Sequence, residues 1–429
     1  MKYIEIEGGY PIRGELAVQG SKNAALPMMA AALLTSQPVV LERCPQIEDV
    51  QVMCQLLRYV GAEVEQQGER IRICARQIRN TQLPQSLVSR MRSSIILLGP
   101  LLSRVGEAKM CFPGGCVIGS RPIDLHVKGL RELGCVMQDE GCCVWGWKSK
   151  NNSMWNGSGA GCVRRIHLKY SSVGATENIL LASVLEQGET ILTGAAREPE
   201  VRELALMLQQ MGACIKGAGT EKIQIRGKAQ LNGITRWVMS DRIVAGTYLI
   251  AAAITGGEIL LHYVSPEDNI SLLRILEDMG CQIEYHEKQQ WIHLRAPKCL
   301  KAVSVRTGPH PEFPTDLQAM LVTAMSQSEG LSHMEETVFE NRFRYVEALN
   351  RMGAKISLNK NRAAVWGRCQ LKGDELWATD LRAGAAMVLA GLVADGKSRI
   401  YHLNYVERGY ESITADLFAL GAKIRELTE

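Results

Sequence analysis

Apolar positions along this chain fall into a pattern that repeats six times. A helical stretch ends in an apolar residue, glycine follows, then Ala or Cys, then an alternating segment of β character. The glycines are Gly61, Gly134, Gly212, Gly280, Gly353 and Gly421, with successive spacings of 73, 78, 68, 73 and 68 residues. Such regularity predicts one structural unit used six times. Each glycine sits where a left-handed residue closes a helix at no steric cost.

A second kind of helix precedes the first in these units. Ala24–Leu34, Thr176–Leu185, Ala245–Ile254, Asp316–Ser326 and Leu381–Ala394 carry small and apolar residues all round, which predicts burial on most faces. A turn and a strand follow, as in Gln187-Gly-Glu-Thr-Ile-Leu and Gly256-Gly-Glu-Ile-Leu-Leu. The unit therefore reads helix, strand, helix, then two strands. The expected fold class is α/β.

The sixth unit is short at its end. After Gly421 only eight residues remain, whereas Tyr3-Ile-Glu-Ile-Glu-Gly-Gly-Tyr-Pro-Ile-Arg-Gly has the missing strand, glycine and apolar layout. The N-terminal strand is thus expected to complete a C-terminal domain. Three repeats over 21–239 would form one domain, and residues 1–20 plus 240–429 the other. Two crossovers, near Gly20 and Ser240, make a hinge, and a cleft between hinged domains is a common ligand site.

At 429 residues, with 46% hydrophobic and 22% charged residues, the chain has the composition of a soluble globular protein. A net charge of +4 does not suggest nucleic-acid binding, although local Arg and Lys clusters suit an anionic small molecule. No apolar run is long enough to span a bilayer. Thirteen cysteines without a secretion signal point to a reducing, cytoplasmic setting. Their spacing fits no structural zinc site, so neither metal nor cofactor is expected. The histidines form no cluster and receive no catalytic role.

Polar residues gather where sheets join helices: Lys22 with Asn23, Arg92, Cys116 with Arg121, Asp241 with Arg242, Asp316, Arg342, Asp380 with Arg382, and Arg408. Helix N-termini favour anions, and arginines from several units would bind a phosphate and a carboxylate. Singly, each Asp could equally be an N-cap. Cys116 lies in Gly114-Gly-Cys-Val-Ile-Gly-Ser-Arg, whose glycines favour an accessible loop, and Arg121 favours its thiolate. Cys116 is therefore a candidate reactive group and Asp316 a candidate base.

Nine motifs make a resemblance specific: Gly20-Ser-Lys-Asn-Ala, Met91-Arg-Ser-Ser, Pro113-Gly-Gly-Cys-Val-Ile-Gly-Ser-Arg-Pro-Ile-Asp, Ser172-Val-Gly-Ala-Thr, Ala196-Arg-Glu-Pro-Glu, Phe313-Pro-Thr-Asp, Glu336-Thr-Val-Phe-Glu-Asn-Arg-Phe, Ala378-Thr-Asp-Leu-Arg-Ala and Glu407-Arg-Gly-Tyr. Over nearly its whole length the chain resembles the enolpyruvyl transferases that act on UDP-N-acetylglucosamine in peptidoglycan synthesis. The resemblance implies a two-domain, inside-out α/β barrel. It also implies transfer of the enolpyruvyl group of phosphoenolpyruvate to the sugar 3-hydroxyl, with release of phosphate.

By the same resemblance Cys116 is the proton donor to the methylene carbon, can form an adduct with phosphoenolpyruvate and is the thiol that fosfomycin would label. Asp316 is the base for the sugar hydroxyl. Lys22, Arg121, Arg382 and Arg408 hold phosphate and carboxylate. Asn23, Arg92, Arg121, Pro122, Ile123, Asp124, Leu125, Asp316 and Val338 line the nucleotide sugar, and Arg342 and Asp380 complete the closed cleft. Ser240, Val244 and Tyr405 depart from the family pattern, and residues 142–162 form a longer segment than usual. A hairpin insertion is the simpler reading of that segment, a partner surface the other. Two alternatives stay open: a nucleotide-sugar-binding paralogue without turnover, and transfer to another acceptor alcohol. Retention of Lys22, Cys116, Asp316 and Arg408 together speaks against the first.

Overall fold

A computed structural model describes residues 2–114, 122–139, 141–148 and 163–428. Each of the six repeat glycines ends its helix or helical turn with a positive φ, between +92° and +110°. The chain then closes back on the helix. The N–H of Ala62 reaches the carbonyl of Leu57 at 3.0 Å, and that of Ala213 reaches Leu208 at 2.9 Å. These bonds satisfy carbonyls that a helix end would leave bare.

After each of the first five glycines the chain runs into a strand, a turn and a second strand; after Gly421 it makes the single strand Lys423–Thr428. Val39–Glu42, the helix Glu48–Val60, Glu63–Gln67 and Arg70–Cys74 form one such unit, in which Arg70–Cys74 pairs antiparallel with both other strands. In five of the six sheets a further strand lies parallel to the unit's first strand and leads on toward a buried helix. In the sixth, around Glu107–Cys111, the parallel pairing is the single bridge Gln82–Lys109.

The chain divides into two compact units. The first spans 20–239 and is centred on the helices Lys22–Ala31, Leu98–Val105 and Val173–Ser183. The second combines residues 2–19 with 240–428, around Arg242–Thr255, Gln318–Gln327 and Leu381–Val393, which contact one another pairwise. Every residue from Ile243 to Ala253 and from Arg382 to Leu392 is buried. Small side chains on all faces thus became central helices wrapped by sheets. In the second unit the strand Lys2–Glu7 lies between Lys397–Tyr401 and Lys423–Thr428, antiparallel to both.

One central helix carries no alanine-rich signature. Leu98–Val105, entered through the 3₁₀ turn Arg92–Leu97, reads Leu-Gly-Pro-Leu-Leu-Ser-Arg-Val and holds no alanine. Its close approach comes from Gly99, where a Cβ would stand 2.4 Å from the carbonyl oxygen of Asn178. Of the 142–162 segment, Cys143–Lys148 is a hairpin strand paired with Cys135–Asp139 and Glu107–Cys111, and residues 149–162 lie outside the described residues. No helix among the described residues is long and apolar enough to cross a membrane.

Candidate active site

Asp316 is the best-defined candidate. It lies in the 3₁₀ turn Thr315–Leu317 and caps no helix by its side chain. Its Oδ1 accepts from Arg342 at 2.7 Å and its Oδ2 from Arg382 at 2.9 Å. Both guanidinium side chains are nearly dry, at 3% and 6% exposure, while the Asp316 side chain keeps 29%. Burial alone would lower the pKa of Arg382, but Asp316, then Tyr410 and Asp241, outweigh it and raise the pKa above its ordinary value. Arg342 also donates to the Thr315 carbonyl through Nε and a terminal nitrogen.

The turn that carries Asp316 is tied down by a residue that the sequence reading did not single out. Glu336 is buried, and its Oε1 accepts from the Thr307 hydroxyl and from the N–H groups of Val338 and Phe339. Its Oε2 accepts from the Thr315 hydroxyl at 2.9 Å. One carboxylate thereby fixes both the loop that presents Val338 and the residue before Asp316. In sequence a buried glutamate looks like a surface one, so only its place in the Glu336-Thr-Val-Phe motif could have flagged it.

Two other acidic candidates, Asp380 and Asp241, are caps. Asp380 Oδ1 accepts from the N–H groups of Arg382 and Ala383, and Asp241 Oδ1 from those of Ile243 and Val244. The Asp380 cap points the first turn of its helix so that Arg382 faces Asp316. Arg408 ends the 3₁₀ turn Leu403–Arg408, half-buried in the same unit. Of the departures from the family pattern, Tyr405 packs its ring edge-on against His402, at 6.3 Å between centres, and Val244 is buried in the first turn of its helix.

In the first unit, Lys22 is the first residue of a buried helix capped by Ser21, with Asn23 next to it. A cation there opposes the helix dipole, so its placement is costly unless an anion is near. Asp49 supplies one at 3.4 Å from Nζ, from the first turn of the helix Glu48–Val60. Arg92 begins a 3₁₀ turn and donates to the Pro113 carbonyl at 3.1 Å, beside the start of the cysteine segment. Pro122, Ile123, Asp124 and Leu125 lead into the helix Asp124–Glu132, where Asp124 accepts from the Tyr170 hydroxyl. Cys116 and Arg121 lie outside the described residues.

Beneath Arg92 a buried pair locks two helices. Asn178 Oδ1 accepts the Gly99 N–H at 2.6 Å, which leaves its Nδ2 to donate to the Ile95 carbonyl and to His126 Nδ1 at 3.0 Å. His126 is consequently the neutral Nε2–H tautomer. Burial first, then Arg92, lowers its pKa to about 4.

Cations at the first turns of buried helices, set in a six-unit α/β fold, make sites suited to anionic ligands. The chain matches the EPSP synthase (3-phosphoshikimate 1-carboxyvinyltransferase) family over residues 6–417. It is 42% identical over 419 residues to UDP-N-acetylglucosamine 1-carboxyvinyltransferase 1 of Caldanaerobacter subterraneus subsp. tengcongensis, covering 98% of each chain. It is also 42% identical over 428 residues to UDP-N-acetylglucosamine 1-carboxyvinyltransferase 2 of Staphylococcus saprophyticus, covering 99% of each. Its fold is similar to that of the enolpyruvyl transferase NikO from Streptomyces tendae, with a TM-score of 0.86 and 25% identity over 100% of this chain and 99% of that one. An EPSP synthase from Acinetobacter baumannii shares the fold at a TM-score of 0.76 and 20% identity, with both chains covered fully. The chain belongs to the UDP-N-acetylglucosamine 1-carboxyvinyltransferase family of enolpyruvyl transferases.

Proposed function

We propose that this enzyme transfers the enolpyruvyl group of phosphoenolpyruvate to the 3-hydroxyl of UDP-N-acetylglucosamine, as a cytoplasmic step of peptidoglycan synthesis. Addition comes first: Cys116 protonates the methylene carbon, the sugar hydroxyl attacks the neighbouring carbon, and Asp316 takes the hydroxyl proton. Elimination then expels phosphate and returns the methylene proton. Lys22, Arg121, Arg382 and Arg408 neutralise the phosphate and carboxylate. Cys116 is also the thiol that an epoxide such as fosfomycin would alkylate.

The observation that carries this reading is the double clasp on Asp316. Two guanidinium groups keep a carboxylate ionised but make it a poor base. An incoming substrate anion that draws Arg382 away would leave Asp316 better able to accept a proton. Substrate binding and base strength are then coupled through one arginine, which suits an enzyme more than a passive binder.

The test is phosphate release by the purified protein from phosphoenolpyruvate. The expected result is release only when UDP-N-acetylglucosamine is present, with a stoichiometric enolpyruvyl product by mass spectrometry. Binding of the nucleotide sugar without phosphate release would favour a non-catalytic paralogue. Release with a different alcohol alone would move the acceptor.

A further inference from the structure

The strand Glu107–Cys111 pairs antiparallel with Cys143–Lys148, and Cys111 stands directly opposite Cys143. The next position along carries the backbone bond from Phe112 N–H to the Cys142 carbonyl, at 2.7 Å. Cys111 and Cys143 therefore occupy the neighbouring non-hydrogen-bonded site, where facing Cα atoms approach to about 4.5 Å. That separation lies inside the disulfide range of about 4.4–6.8 Å. The two sulfurs are 2.7 Å apart, and the Cys142 sulfur is 3.8 Å from that of Cys143.

We propose that Cys111 and Cys143 are a redox-active dithiol, oxidised to a cross-strand disulfide by low-molecular-weight disulfides. None of the eleven described cysteines is in a disulfide. Cys44, Cys54 and Cys135 are buried, and burial raises their thiol pKa values and keeps them inert. Cys111 and Cys143 are half-buried, and Cys142 beside them is exposed, so a small disulfide can reach the cluster.

One protein thiolate attacks the small disulfide, forming a mixed disulfide and releasing one small thiol. The second protein sulfur attacks the protein half of that bond and releases the other small thiol. Two electrons pass to the oxidant and the protein loses two hydrogens. Cys142 is not the final partner: a bond between adjacent residues closes a strained eight-membered ring through the intervening peptide. Its role is entry, passing a mixed disulfide to Cys143. The bond would tie down the end of a strand that runs, five residues later in sequence, to Cys116.

The full chain is incubated with oxidised glutathione, blocked with N-ethylmaleimide, digested and fragmented by mass spectrometry. The expected product is a Cys111–Cys143 cross-linked peptide two hydrogens lighter than its parts. The link should persist in Cys142→Ser, vanish in Cys111→Ser and Cys143→Ser, and be reversed by dithiothreitol, with circular dichroism verifying that each variant is folded. Recovery of Cys111 and Cys143 as maleimide adducts overturns the proposal. So does a Cys111 link that survives in Cys143→Ser by moving to Cys142.

Discussion

Asp316 is the counterion of two arginines and, on the proposed mechanism, also the reagent that takes the sugar proton. Replacing it with Asn keeps one acceptor oxygen but turns an amide toward a buried guanidinium. Turnover is expected to fall at least roughly a hundredfold, the usual cost of losing a general base. The fold should also lose about 2–3 kcal/mol; breaking a fully buried pair costs about 3–5, but water reaches one end of this one. Steady-state kinetics, denaturant titration and calorimetry with UDP-N-acetylglucosamine separate the effects. Near-normal turnover in folded Asp316→Asn would remove the base assignment. His126 offers a second residue-scale test. Its folded pKa of about 4 lies below the ordinary histidine value of about 6.5, so the unfolded chain binds the extra proton and stability is lost as pH falls between these values. The wild type should lose up to about 3 kcal/mol over that window relative to His126→Gln, whose side chain does not titrate. Parallel pH profiles for the two proteins would refute the linkage. Asp316, Arg342 and Arg382 were all legible as candidates in the sequence. Their clasp was not, because it joins turns 26 and 66 residues apart. Asp49 and Glu336 were silent for a related reason: an acid is recognised as a partner only once its cation or its N–H donors have been brought to it.

At the level of elements, the repeat glycines carry most of what could be read in advance. Their chemistry is local, since a left-handed residue at a helix end needs no distant partner. Gly421 has φ +92° and open space around a Cβ, so Gly421→Ala should cost only the backbone strain, about 1–2 kcal/mol. Gly61 has φ +106°, and its added Cβ would meet the Gln77 carbonyl at 3.0 Å and Arg79 N at 3.1 Å. Gly61→Ala should therefore cost more, and denaturant midpoints for the two variants check the order. Equal losses would mean that backbone conformation alone sets the cost. The helix Leu98–Val105 escaped the alanine pattern because its neighbour comes close at one glycine rather than along a whole small-residue face. Local composition reports an average over a face, and Gly99 is a single point.

For the molecule as a whole, the decisive feature is the strand Lys2–Glu7 between the last two strands of the chain. Removing residues 2–7 leaves Lys397–Tyr401 and Lys423–Thr428 without the strand that joins them. Hydrogen exchange should then show loss of protection in the unit containing 240–428, while the unit of 20–239, with its own core, keeps its slow amides. Equal loss in both would mean that the two cores melt as one.

That strand also sets a timetable during synthesis. At about 5–20 residues per second, roughly 20–80 s separate the emergence of Glu7 from that of Lys423. For that interval the nascent chain trails a strand with three isoleucines nearby, Ile4, Ile6 and Ile12, and no partner yet made. Glu5 and Glu7 alternate with two of these isoleucines, and charges so placed discourage edge-to-edge pairing with another nascent chain. The same Glu5 is later met by Lys397, Arg399 and Arg425. A residue that keeps the strand apart from strangers on the ribosome becomes, about a minute later, the one that receives its proper neighbours.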